Sequence, residues 1–345
     1  MNWSFGAAFL TLAIFATPSL LSTATRQERY TAERSGDIVR LEDRATQTAV
    51  SVVAPMSNAY EMVVKGHDVI RKTFTTVADF RAQPGLNGMP LLAPFAGRLD
   101  QTAFYANGRK YNFDLELGNV RGPIPIHGFL RGATDWKLVE ARADANGAWV
   151  ANRLDFYRNP QYMKQFPFAH TLTMTYRLEN GVLEVRTRID NLSNEPMPVS
   201  LGFHPLFRLT DSTRDDWTVS VGAKTRWSEE VVEPIEKSLP NPRAVRLREL
   251  HPSSNAFSEL ERDAQGRGVV SVKGRTQQLD VLLGPSYRCV VLWSPDPTSD
   301  FIALEPWVAI PYALNLAHKG LYKELQSVPP GGMWQESFWI RPSGF

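Results

Sequence analysis

Cysteine is nearly absent: Cys289 is the only one in 345 residues. A disulfide framework and a thiolate metal cluster are both excluded, because each needs more than one sulfur. Cys289 lies in the apolar run RCVVLW, where a buried, inert thiol is expected. Surplus charge is missing as well. Lys and Arg number 38 against 36 Asp and Glu, a net +2, so no strong field draws in nucleic acid or an anionic membrane. The chain has no G-x-G-x-x-G, P-loop, H-E-x-x-H or G-x-S-x-G, which leaves nucleotide binding, zinc proteolysis and α/β-hydrolase chemistry without support. Amphipathic helices after residue 30, low-complexity linkers and repeats with a period of about 20–50 residues are also lacking. Two separate domains, a propeller and a solenoid are correspondingly disfavoured.

The first 25 residues carry no charged side chain. FGAAFLTLAIFA is an apolar stretch followed by small residues at Ser22 and Ala24, the pattern of a secretory leader over 1–24. Its start has no Lys or Arg, so a membrane anchor over residues 3–22 is the alternative; Pro18 and the small polar residues after it count against that. The expectation is a periplasmic or secreted protein without stable membrane insertion.

What the chain does have is β signal. Asn107-Gly108, Asn146-Gly147 and Asn180-Gly181 are each flanked by strand-like sequence, the strongest short-range mark of a hairpin. Around the last of these, Leu172, Met174, Tyr176 and Leu178 alternate on one side of the turn. Leu183, Val185, Thr187 and Ile189 alternate on the other. Short β-branched runs recur between 24 Pro and 23 Gly. The reading is all-β: one large antiparallel β-sandwich over residues 34–343, with a core in proportion to the 43% hydrophobic content.

Four polar residues stand out in apolar, proline-rich surroundings. His127, in IPIHGFLRG, reads first as the cap of a turn. His204, in SLGFHPLFRL, is evenly divided between packing and chemistry, and Pro205 puts it at a strand rim. Glu305 follows Phe301–Leu304 and precedes Pro306-Trp307, so its carboxylate is placed in surroundings that suit proton transfer near neutral pH. Arg98, in APFAGRLDQ, can grip hydroxyls or a carboxylate, or simply bridge Asp100.

Taken in order, PLLAPFAGRLDQTAFYANGRKYNFD, IHGFLRGATDW, the long stretch ending in SLGFHPLFRL, ALEPWVAIPYALN and VPPGGMWQESFWI resemble the aldose 1-epimerase (galactose mutarotase-like) family. The likeness spans about residues 45–341. It implies a site in a mutarotase-like supersandwich, with Glu305 as the general base at the anomeric hydroxyl and His204 as the general acid at the ring oxygen. The two would stand on opposite sides of the C1–O5 unit. Ring opening, rotation and reclosure would interconvert the α and β anomers of a free monosaccharide, by a monomer or homodimer and with neither metal nor other cofactor. His127 and Arg98 would bind the sugar, and Phe207 and Trp307 would wall its C–H face.

One stretch departs from the family. Where an acidic residue usually holds sugar hydroxyls, HPSSNAFSEL offers Ser254 and Asn255, which hydrogen-bond without charge assistance. Two alternatives therefore stay open: a non-catalytic carbohydrate-binding protein, and an epimerase of phosphorylated hexoses using Arg98 and Arg131.

Overall fold

The structure, a computed structural model, describes residues 1–3, 28–116, 118, 120–228, 234–236, 245–249 and 255–345. The leader or anchor expected at the N-terminus and Ser254 lie outside the described residues. Among the described residues no helix is long and apolar enough to cross a membrane.

The strands are built as the alternation predicts. His170–Glu179 and Val182–Asn191 pair antiparallel about the Asn180-Gly181 turn, where both turn residues take positive φ, 50° and 73°. That left-handed pair matches the twist of the flanking strands. The predicted face, Leu172 to Leu178 and Leu183 to Ile189, is buried. Asn107-Gly108 makes the same kind of turn between Ala103–Ala106 and Arg109–Asn112. At Asn146-Gly147 the device differs. Asp144 Oδ1 accepts from both Asn146 N (2.7 Å) and Gly147 N (3.1 Å), so a side chain closes the turn there.

Nearly all the pairing is antiparallel, in three large sheets and three two-stranded ribbons among the described residues. A five-stranded meander covers Tyr30–Asp68, and a nine-stranded sheet has the two long hairpin strands beside Met333–Ser343 and Gln278–Leu283. An eight-stranded sheet runs from Pro234–Glu236 through Ala223–Ser228, Asn255–Leu260, Cys289–Trp293 and Ile302–Trp307 to Gly202–Phe203 and Leu91–Leu92. One continuous apolar core joins them, from Val39 and Leu41 through Tyr176 and Phe203 to Leu292, Leu304 and Phe338. Burying one face of each sheet against another is what makes the alternating strands stable.

The eight-stranded sheet has a second apolar cluster on its other face: Leu92, Ala96, Ala256, Cys289, Val291 and Trp307. Cys289 is wholly buried there, as its surroundings in the sequence suggest. Glu305 and His204 belong to this second face.

Candidate active site

Register decides which residues meet. Ile302–Trp307 pairs antiparallel with Gly202 opposite Trp307, and with Leu206 opposite Ala303. The same register holds on both sides of Pro205, so His204 falls opposite Glu305. Directly opposed residues share a face and stand about 5 Å apart at Cβ. Accordingly His204 Nε2 lies 3.2 Å from Glu305 Oε1. The two groups predicted to flank the reacting atoms are side by side instead of on opposite sides.

Both are deep: His204 is 4% exposed and Glu305 2%. Burial, reinforced by the nearby Arg131 guanidinium, pulls His204 down to about 3. The imidazole is thus neutral at ordinary pH and carries one proton. Nδ1 is buried with no hydrogen-bond partner, and Nε2 faces the carboxylate, which assigns the proton to Nε2. The second carboxylate oxygen, Oε2, accepts from Trp307 Nε1 at 3.2 Å.

His127 is brought to the same place by two zipped loops, and Arg98 stands on the facing loop. Ala93 bridges Gly128 and Arg98 bridges Ile126. Phe129 N and Leu130 N both donate to Ala93 O, at 2.9 and 3.2 Å. A Cβ on Gly128 would meet Ala93 O at 2.0 Å, so only glycine lets these backbones cross. His127 takes φ +61°. Its N–H donates to Gly97 O at 2.8 Å, while its Nδ1 accepts from Gly97 N at 3.1 Å. An accepting Nδ1 places the proton of the neutral ring on Nε2. The ring centroid lies 5.6 Å from that of His204 and 6.0 Å from that of Trp307, edge to face in each case. The turn-cap reading and the site reading of His127 therefore describe the same residue.

Two predicted contacts are relocated. Phe207 pairs with Ile302, on the opposite face from Glu305, and lies wholly buried in the main core. Strand alternation sends Leu206, not Phe207, to the site face, where it packs with Ala303 and Phe301. Asn255 shares register with Leu292, and Leu292 with Leu304, again on the far face. Ala256 and Val291 are the residues in line with Glu305. Trp307 is on the correct face, but its ring is fully buried and acts on Glu305 through its N–H. Trp293 went unremarked in the sequence. Its ring is 5.4 Å from His204, edge to face, and the alternation of Val291 and Trp293 in CVVLW carries the signal that finds it. Among the described residues no three of His, Cys, Asp and Glu gather to hold a metal ion.

A large antiparallel β-sandwich with a buried His–Glu pair on one sheet face places the molecule among the galactose mutarotase-like folds. The profile of the aldose 1-epimerase family matches residues 61–338, and the chain belongs to that family. It is similar to a solved protein from Synechocystis sp. PCC 6803 (25% identity, 91% of this chain and 98% of that one, TM-score 0.71). It is also similar in fold to a galactose mutarotase-like protein from Clostridium acetobutylicum (20%, 92% and 98%, 0.74). The same holds for a galactose 1-epimerase from Lactobacillus acidophilus NCFM (14%, 92% and 98%, 0.69).

Proposed function

We propose that the protein is an aldose 1-epimerase, interconverting the anomers of a free aldose by acid/base-catalysed ring opening and closure. The observation that carries the reading is the buried cross-strand contact of His204 Nε2 with Glu305 Oε1 at 3.2 Å. O1 and O5 of a pyranose hang on the same carbon, so an acid and a base side by side can reach both. Glu305 takes the proton of the O1 hydroxyl as the C1–O5 bond breaks, and His204 gives its Nε2 proton to O5. The open-chain aldehyde rotates about C1–C2. Reclosure on the other face returns the O5 proton to His204 and the Glu305 proton to O1, so every proton is restored. His127 and Arg98, held by the zipped loops, supply donors to the sugar's oxygens. The neutral His204 acts as an uncharged acid, so no imidazolium is buried; on giving up its proton it holds the negative charge as imidazolate until reclosure, while Glu305, carrying the O1 proton, is neutral.

One observation favours a second substrate class. Arg131 is half-buried beside His204, and that burial holds its guanidinium below the usual arginine range, with no carboxylate among the described residues offsetting it. An aldose with an anionic substituent would provide the missing counter-charge.

Equilibration of α-glucose, α-galactose, further neutral aldoses and an aldose 6-phosphate, followed by polarimetry or NMR, tests both readings. Acceleration of any of them, lost in Glu305→Gln and His204→Asn, supports the enzyme. Binding without acceleration would make the protein a carbohydrate-binding member of the fold. A preference for the phosphate that disappears in Arg131→Gln would select the anionic class.

A further inference from the structure

Trp307 is pinned more closely than any apolar wall requires. Glu305 and Trp307 are two apart in one strand, so alternation puts them on the same face with Pro306 turned away. Glycines hold the indole on two sides. A Cβ on Gly97 would fall 2.7 Å from ring atom Cζ3, and one on Gly202 would fall 2.5 Å from Cδ1. Ala96 and Cys289 complete its packing. The same Gly97 binds His127 through both its N–H and its carbonyl. All this fixes the direction of one group, the indole Nε1–H, which points at Glu305 Oε2 from 3.2 Å.

We propose that Trp307 is a positioning residue that divides the labour between the two oxygens of Glu305. An indole nitrogen donates and cannot accept. A proton placed on Oε2 would compete with an N–H that is never withdrawn, whereas the Nε2 proton of His204 that faces Oε1 is the one given to O5 as the ring opens, so Oε1 is the oxygen relieved to take and return the proton of the sugar hydroxyl. The carboxylate plane is set by the N–H, and Gly97 and Gly202 set the N–H. Gly97 thereby ties the orientation of the base to that of His127. This inference rests on the epimerase reading for its catalytic consequence and on geometry alone for the hydrogen bond.

The two parts are tested separately in the full chain. With the tryptophan indoles labelled with 15N, the Trp307 resonance is the one absent from Trp307→Phe. It should move clearly upfield in Glu305→Leu, which removes the acceptor, while the other indole resonances stay within small shifts. An unmoved Trp307 resonance would refute the hydrogen bond, whatever the protein's activity. In the mutarotation assay, Trp307→Phe should lower kcat about 10- to 100-fold with KM nearly unchanged, the effect of losing one hydrogen bond to a charged group. A raised KM with unchanged kcat would overturn the positioning role and return Trp307 to a binding wall. If Trp307→Phe does not fold, the Trp307 resonance is assigned instead by its nuclear Overhauser contacts to Ala96 and Cys289, which pack on it, and the Glu305→Leu spectrum still decides the bond. A wild type inert on every aldose removes the epimerase reading, and the spectrum reports independently.

Discussion

At the scale of single residues, the site gathers groups that are costly to bury unless they answer one another. His204 and Glu305 share one contact, Glu305 has a second donor in Trp307, and the His127 ring is bonded to Gly97. Removing either member of the pair should therefore act on rate first. Glu305→Gln and His204→Asn are each expected to reduce kcat by about 10²- to 10⁴-fold in a mutarotation assay, with circular dichroism unchanged. Phe207, relocated to the core, and Trp293, newly found at the site, give the contrasting case. Phe207→Ala empties a fully buried core position and should cost about 3–5 kcal/mol in denaturant titration, with KM unaltered. Trp293→Ala, at the partly exposed ring beside His204, should instead raise KM at little cost in stability. If Phe207→Ala alone weakened sugar binding, the assignment of faces would be wrong. Both faces follow from strand alternation, but the phase cannot be read locally where Pro205 separates two-residue strands.

Elements bring these residues to one place through glycines. Gly202 has no unusual φ, yet a Cβ there would lie 2.5 Å from the Trp307 ring, 2.8 Å from Ala96 Cβ and 3.0 Å from Pro306 O. Gly108 is the opposite case, with φ +74° and nothing within 4 Å. Gly202→Ala should thus destabilise by about 1–3 kcal/mol through overpacking and also depress kcat. Gly108→Ala should cost about 1 kcal/mol through backbone strain and leave kcat alone. Paired melting curves and initial rates separate the two. The Asn-Gly hairpins were legible in the sequence because a turn is a local event, and the exception at Asn146 arose from Asp144, whose side chain caps the turn. The glycines at 97, 128 and 202 were not legible as close approaches. What they avoid lies far along the chain or across a loop.

For the whole molecule, two buried histidines set an expectation for acid. His170 stacks on Phe156 at 4.1 Å and directs Nδ1 at the Phe168 carbonyl, 2.6 Å away. Burial pulls it from 6.5 to about 4. Between those values the unfolded chain holds a proton that the folded chain refuses. Stability therefore falls as pH drops from 6.5 towards 4, by up to about 1.4 kcal/mol per pH unit, and this contribution is flat above 6.5. His204 adds a loss of the same sign that extends to about 3. The melting temperature should decline across this window, and His170→Gln should decline less steeply. Equal slopes for wild type and variant would contradict the assignment. The sequence by itself determined the β architecture, the hairpins and the family, because alternation and turn chemistry are written into neighbouring residues. It also named Glu305, His204, His127 and Arg98. Only the tertiary structure decided that His204 and Glu305 touch, that Phe207 and Asn255 face away, and that Trp307 bonds the carboxylate. Those outcomes depend on the register between strands about a hundred residues apart, where a slip of one residue turns every side chain to the other face.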